Sequence, residues 1–291
     1  MKLLSQTTLT LIISLFTLNA QPNCNIPADI EEIVIQKGIS NLKNYPDIRR
    51  NYKALHGLCV NLLGFREASI TWKMFLITNP GRTHGPFWFL PHDNENSAFS
   101  AAVYATKQYG GGFLAVYTGD RRYNRGQDPN RNFANSSQRI CREQKAPSPL
   151  YTNRVFSIID YYKTPSYPYL ALHNNTNKGG VSILKDSRYT QSFLAYSIKK
   201  VKKGIGLADE DSIVYIAGSS PVPPKAKVEQ LLSAGLNTKY EYVNRASMDC
   251  SMSNYVVSGL GTGNYYNIET QHGKTATQIK MINRLLMHIG F

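Results

Sequence analysis

The chain has 291 residues, and its hydrophobic fraction of 42% is large enough to form a substantial core. Its formal net charge of +14 favours an anionic partner, such as a cell-wall polymer, a membrane surface, a nucleic acid or a substrate with a carboxylate. Beyond the N-terminus, no stretch reaches the roughly 18 apolar residues of a membrane-spanning helix, so we expect no stable membrane span.

The N-terminal segment has the layout of a secretory signal peptide. Lys2 precedes an apolar stretch at 9–18, and Ala20 stands before a polar break. We therefore predict a signal peptide at 1–20, a single domain at 21–291 and a periplasmic or secreted protein. An uncleaved N-terminal anchor is the alternative interpretation.

The cysteines fit an exported protein. An even number of cysteines favours disulfides, of which three pairings are possible, and the absence of a C-x-x-C motif argues against a cysteine zinc site. The four are Cys24, Cys59, Cys141 and Cys250.

Helical and strand patterns alternate along the chain. The segments 28–44 and 47–63 are predicted as helices. After them, strands are predicted at 70–78, 86–92, 112–118, 155–162, 167–173, 212–219 and 265–270, and helices at 97–110, 225–236 and 274–291. Apolar strands that alternate with helices predict an α/β fold with three layers, α/β/α, around a mostly parallel or mixed central sheet.

Three polar residues stand at the ends of predicted strands. His92 ends the strand at 86–92, His173 ends "YLALH", and Glu269 lies at the end of "YYNIET". Because sites in open α/β sheets form outside the carboxyl ends of strands, we expect these side chains to meet. His92-x-x-Glu95 adds a second carboxylate, although this motif alone is expected about 0.2 times by chance in such a chain.

These residue types are suited to a catalytic metal site. Two histidines and one carboxylate bind zinc and leave one coordination position open for water or substrate. A further carboxylate, for which Glu269 is the candidate, can then take a proton from water and pass it to the leaving nitrogen.

The loop "GDRRYNRGQDPNRNF" (119–133) is rich in arginine. Fixed guanidinium groups bind carboxylates with two hydrogen bonds and can stabilise an oxyanion. A solvated basic loop is the simpler interpretation, and the nearby His and Glu motifs favour the functional one.

Four segments together resemble the zinc carboxypeptidase-like superfamily. "HDNE", "DPNRNF", "LHNNT" and "IET" occur in the order of its aspartoacylase and succinylglutamate desuccinylase branch, which has His-Gly-Asn-Glu-like, Asp-Leu-Asn-Arg and Leu-His-Asn segments and a later Glu. The segments span residues 92–269. Pro129 and Ala171 depart from the pattern of that branch.

The resemblance implies a role for each matching residue. Zinc would be bound by His92, Glu95 and His173. Glu269 would be the general base and proton shuttle, and Asp128 would orient the first histidine.

The resemblance also implies a substrate-binding side. Asn130 and Arg131 would hold a substrate carboxylate, and either Arg122 or Arg125 would polarise the scissile carbonyl. Among the other histidines, His84 and His272 are candidates to line the cleft.

The expected function is an exported zinc-dependent hydrolase that cleaves an amide bond next to a free carboxylate. We favour a carboxypeptidase acting on short peptides, with peptidoglycan peptides as a hypothesis. The alternatives are an acyl-amino-acid deacylase of aspartoacylase type and a non-catalytic protein that binds an anionic cell-wall polymer. Nucleic-acid binding is not expected, because no recognised motif is present.

Overall fold

The computed structural model of the protein describes residues 24–177, 181–184, 193–198 and 206–291. The predicted signal peptide lies outside these residues. The strands are β1 Val34–Lys37, β2 Cys59–Glu67, β3 Ile70–Thr78, β4 Phe87–Leu90, β5 Gly112–Val116, β6 Tyr169–Asn175, β7 Phe193–Tyr196, β8 Ile213–Gly218, β9 Asn237–Tyr242 and β10 Tyr265–Gln271. The helices are α1 Ala28–Glu31, α2 Ile39–Leu42, α3 Pro46–Arg50, α4 Tyr52–Leu55, α5 Asn96–Tyr109, α6 Pro149–Tyr162, α7 Lys225–Ser233, α8 Met252–Asn254 and α9 Thr275–His288.

The ten described strands form one mixed sheet in the order β1-β2-β3-β5-β4-β6-β10-β8-β9-β7. The centre is parallel, since β4 pairs with β5 and β6, and β6 pairs with β10. Strand β8 runs antiparallel to β10, so the start of β8 lies beside the carboxyl end of β10. The predicted three-layer α/β/α class is confirmed.

Helices cover both faces of the sheet. Alternation along β3 sends Phe75 and Ile77 to the face covered by α5, α7 and α9, and Met74 and Leu76 to the face covered by α6. Helix α6 contributes Val155 and its neighbours to this second core. The sheet is therefore buried on both faces, and polar functional groups are expected beyond the ends of its strands.

Three predicted segments differ in the structure. Residues 155–162 form the second half of helix α6, because their apolar positions fall three and four residues apart and Pro149 supplies the first turn. The predicted helix at 28–44 is interrupted by β1, and the predicted helix at 47–63 gives way to β2. These two strands pair with each other, and this non-local pairing overrides the local helical pattern.

Two disulfides join all four cysteines. Cys24 is bonded to Cys59, and Cys141 is bonded to Cys250 across 109 residues of sequence. The second bond attaches the loop before α6 to the segment before α8. Of the helices in the described part of the chain, none has the length and apolar character needed to cross a membrane.

Candidate active site

The candidate site begins in the turn between β4 and α5. Strand β4 ends at Leu90, and the turn is closed by a hydrogen bond from the Glu95 amide to the His92 carbonyl (3.2 Å). Helix α5 begins at Asn96, directly after Glu95, so the turn presents His92 and Glu95 towards the same point. The apolar residues of β4 hold the turn at the sheet edge, because all four are buried.

Strands β6 and β10 add the other two predicted residues. In the parallel register of these strands, His173 lies directly beside Glu269. Both residues belong to the last three positions of their strands. The carboxyl ends of β4, β6 and β10 thus bring together the residues that the sequence placed at strand ends, as expected for an α/β sheet.

His92, Glu95 and His173 form a compact cluster, here called the His–Glu–His cluster. Their candidate ligand atoms all lie within 4.8 Å of one another, and all three residues are buried. His92 Nδ1 lies 2.7 Å from Glu95 Oε1, and His173 Nδ1 lies 3.4 Å from Glu95 Oε2. Two imidazole nitrogens and one carboxylate thus face one point.

The donor set fits a zinc ion. Two imidazoles and one carboxylate are the ligands of a catalytic zinc site that keeps a position open. The second ring nitrogen of His92 lies 2.9 Å from Asp128 Oδ1, which fixes the ring and leaves Nδ1 for the metal. The placement of Asp128 thus agrees with the orienting role that the resemblance implies.

Charge within the cluster shifts the pKa values of its members. Burial lowers the pKa of His92, but the Glu95 and Asp128 carboxylates outweigh burial and raise it overall. Burial raises the pKa of Glu95, but the two histidines outweigh burial and hold that pKa well below its usual value. The Glu95 carboxylate is therefore ionised at neutral pH, as a metal ligand must be.

A cleft of about 370 Å³ opens onto the cluster. Besides the three cluster residues, its lining includes Glu269, Arg122, Asn130 and Arg131. A candidate base and candidate carboxylate-binding groups therefore share one cleft with the cluster. His272 also lines the cleft, whereas His84 lies outside the lining, with its ring tilted by 51° against Tyr161 at a centroid distance of 5.7 Å.

The two candidate arginines of the 119–133 loop separate in the structure. Arg122 lies 3.5 Å from Glu95 Oε1 and 3.3 Å from Asp128 Oδ2. Arg125 has a positive φ of 50°, and its guanidinium donates to the Ser69 carbonyl at 2.8 Å. The structure thus brings Arg122 to the cleft and leaves Arg125 outside its lining.

Arg131 is held at the cleft by a carboxylate that sequence reasoning did not identify. Its Nη2 lies 3.4 Å from Asp249 Oδ2, and its Nη1 donates to the Asn130 carbonyl at 2.9 Å. The side chain of Asn130 in turn accepts a hydrogen bond from the Met252 amide (3.1 Å). These contacts fix the guanidinium in one orientation, which favours recognition of a planar carboxylate.

Sequence reasoning also missed two residues within its own motifs. The Asn174 amide donates to Glu95 Oε2 at 2.9 Å, and the Asn174 side chain accepts from the Ala98 amide at 2.9 Å. Asp93 accepts hydrogen bonds from the amides of Thr118 (2.9 Å) and Asp120, so it attaches the start of the 119–133 loop to the turn that carries His92 and Glu95. Each stands next to a predicted ligand, and that adjacency was the available signal.

We expect replacement of the two loop arginines to give unequal results. For the hydrolase expected from the sequence, Arg122→Ala should lower kcat/KM by roughly 10²-fold, because in that function its guanidinium would stabilise the negative charge that develops on the carbonyl oxygen. Arg125→Ala is the matched control and should change kcat/KM less than about threefold, because its guanidinium lies outside the cleft lining and donates to the Ser69 carbonyl. Equal losses in steady-state kinetics would contradict this assignment.

The burial of Glu241 indicates that the stability of the folded protein depends on pH. Burial, with Asp249 nearby, raises the pKa of Glu241 from 4.5 to about 7 in the folded state. Because the folded state holds this proton more tightly than the unfolded state does, the stabilisation is complete below pH 4.5 and is lost as the pH rises through about 7. This loss lowers the free energy of unfolding by at most about 3 kcal/mol.

The Glu241→Gln variant tests this pH dependence. The amide keeps an acceptor for Asn254 and cannot ionise, so the variant should melt several degrees above the wild type at pH 8. At pH 5 the two proteins should melt at similar temperatures. A difference in Tm that is the same at both pH values would show that ionisation of Glu241 is not its cause.

Comparisons with known proteins give structural likeness only. No family model and no curated protein sequence matches the chain. Among solved structures, the chain is similar to a candidate metallopeptidase from Shewanella amazonensis SB2B, with 14% identity, 83% of this chain and 91% of that chain covered, and a TM-score of 0.47. It is also similar to a candidate metallopeptidase from Shewanella baltica OS155, with 10% identity, 83% of this chain and 88% of that chain covered, and a TM-score of 0.42.

An aspartoacylase family protein from Mesorhizobium loti maff303099 is also similar, with 13% identity, 81% of this chain and 69% of that chain covered, and a TM-score of 0.44. Identities and TM-scores this low do not assign a family. The interpretation of the site therefore depends on its own geometry.

Proposed function

We propose that the protein is a zinc-dependent hydrolase that cleaves an amide bond next to a free carboxylate. The observation that carries this proposal is the shared cleft, in which the buried His–Glu–His cluster, Glu269 and Arg131 all line one space. A metal-type donor set alone would suit a structural site. The adjoining carboxylate and guanidinium groups favour catalysis, because hydrolysis needs a base and a way to hold the substrate.

Each group has a defined task in this proposal. Zinc on the cluster would supply a Lewis acid that polarises a carbonyl and acidifies water. Glu269 takes a proton from the attacking water and delivers it to the departing nitrogen. Arg122 donates to the carbonyl oxygen as negative charge develops there.

Arg131 and Asn130 hold the carboxylate of the substrate. A guanidinium already fixed by Asp249 loses little conformational freedom when it binds a second carboxylate. This requirement favours substrates with a free carboxylate, such as the C-terminus of a short peptide. Peptides of peptidoglycan are the proposed natural substrates, since they would meet an exported, basic protein.

Export is part of the proposal. The N-terminal signal pattern and the two disulfides both support a periplasmic or secreted protein, because disulfides persist in oxidising compartments. A protein that stayed in a reducing compartment would keep these cysteines as thiols.

Mass spectrometry of reaction products tests the proposed activity. The zinc-loaded protein is incubated with di- and tripeptides, muropeptides and N-acyl amino acids, each beside an analogue whose carboxylate is amidated. Loss of a C-terminal residue from the free peptides but not from their amides is expected. Release of an acyl group alone would favour the deacylase, and binding of wall polymer with no cleavage of any substrate would favour the non-catalytic protein.

A further inference from the structure

A second group of potential metal ligands lies beside the start of β8. Asp209, Glu210 and Asp211 follow one another in the sequence, and their carboxylate oxygens lie within 4.8 Å of one another. Their relative exposures are 3%, 4% and 0%, so all three are more than nine-tenths buried. Three carboxylates in so small a buried volume repel one another unless a cation or protons offset their charge.

Among the described residues, no hydrogen-bond donor reaches two buried carboxylate oxygens of this group. They are Asp209 Oδ1 and Glu210 Oε2. Within the described ranges, neither residue forms an ion pair with a lysine, arginine or histidine. Buried acceptors are rarely left without partners in folded proteins, and this observation is independent of the clustering of the acids.

The backbone carbonyls of the same residues already have partners. The Asp209 carbonyl accepts from Asn237 Nδ2 (3.0 Å), the Glu210 carbonyl from the Ile183 amide (2.8 Å), and the Asp211 carbonyl from Asn175 Nδ2 (3.0 Å). The backbone is thus fixed by neighbouring elements. The unsatisfied capacity of the segment lies in its side-chain oxygens.

We infer that Asp209, Glu210 and Asp211 form a second cation site that takes a calcium ion. All of its donors are oxygens, and no histidine or cysteine belongs to the group. Hard divalent cations prefer such donors, and calcium accepts irregular sets of carboxylates more readily than magnesium, which demands a near-ideal octahedron. This chemistry differs from that of the His–Glu–His cluster, so the two sites would select different ions.

The position of the second site connects it to the cleft. Gln271, at the end of β10, donates to Asp211 Oδ2 at 3.0 Å. Asn175, at the end of β6, donates to the Asp211 carbonyl and also lines the cleft. Gln271 lies two residues after Glu269, and Asn175 lies two residues after His173. A bound ion would therefore hold the strand ends that carry Glu269 and His173.

Calcium titration of the full mature protein tests this inference. The zinc-loaded protein is treated with a calcium-selective chelator, dialysed, and titrated with calcium chloride or magnesium chloride by calorimetry. One calcium per chain is expected, with weaker binding of magnesium. A saturating calcium concentration should raise Tm by roughly 5 °C, because an ion that binds only the folded state stabilises it.

Matched variants locate the binding. Asp209→Asn and Glu210→Gln should each weaken calcium binding at least tenfold and keep the wild-type zinc content and circular dichroism spectrum. Glu229→Gln, on the exposed face of α7, should bind calcium as the wild type does. His92→Ala should lose zinc and keep calcium.

Three results would overturn the inference. The first is a wild type with neither heat of binding nor a change in Tm at millimolar calcium. The second is unchanged calcium affinity in both acidic variants. The third is calcium binding that disappears in His92→Ala, because the ion would then occupy the zinc cluster. None of these results depends on the proposed hydrolase activity.

Discussion

A Glu269→Gln variant should keep its bound zinc and lose turnover by at least about 10³-fold, because the amide cannot accept the proton of the attacking water. Glu269 lines the cleft beside His173 but is not part of the His–Glu–His cluster, so metal binding does not require it. KM should change much less than kcat. Metal analysis and steady-state kinetics on the best peptide substrate measure both quantities.

The control for this variant is Glu229→Gln, which removes a carboxylate from the exposed face of α7. It should retain full turnover. A Glu269→Gln protein that loses zinc together with activity would place Glu269 among the ligands. A variant with turnover close to the wild type would show that another group acts as the base.

Replacement of either histidine of the cluster should remove the metal. His92→Ala and His173→Ala should each reduce zinc from near one per chain to below about 0.1, because two remaining protein ligands bind zinc far more weakly than three. Activity should fall at least about 10³-fold in both. Zinc content by atomic emission, measured after dialysis against metal-free buffer, is the direct readout.

His84→Ala is the matched control for these two variants. His84 is exposed and contacts Tyr161 outside the cleft lining, so its loss should leave zinc and activity unchanged. If both cluster variants kept stoichiometric zinc, or if the folded wild type refused added zinc, the cluster would be a polar turn and not a metal site. Circular dichroism confirms that each variant is folded.

The central strands could be predicted from the sequence because their apolar runs are short and bounded by turns. The segment 70–78 matches β3 at both ends, and 112–118 contains β5. The same logic was wrong for 155–162, because a short apolar run does not distinguish a strand from a buried helix. Strand β7 at one edge of the sheet and its neighbour β9 escaped prediction, because strands that contribute few residues to the cores carry a weaker apolar signal.

The metal-type residues could be predicted for a topological reason. His92, His173 and Glu269 each follow an apolar strand, and parallel strands bring their carboxyl ends to one edge whatever the intervening loops do. The choice between Arg122 and Arg125 could not be made from spacing. It depends on the path of a loop in which Arg125 and Gly126 both have positive φ, and sequence does not specify such a path.

The second disulfide has a consequence for the chemistry of the cleft. Cys250 directly follows Asp249, the residue that pairs with Arg131, and its carbonyl accepts from the Phe133 amide at 2.9 Å. Its bond to Cys141 therefore anchors the side of the cleft that carries Asp249 and Arg131, whereas β4 and β6, at whose ends the His–Glu–His cluster lies, contain no cysteine. Protein produced in a reducing cytosol should bind zinc normally, yet it should need a higher substrate concentration for half-maximal rate. Expression in a reducing and in an oxidising compartment would therefore separate metal loading from substrate recognition.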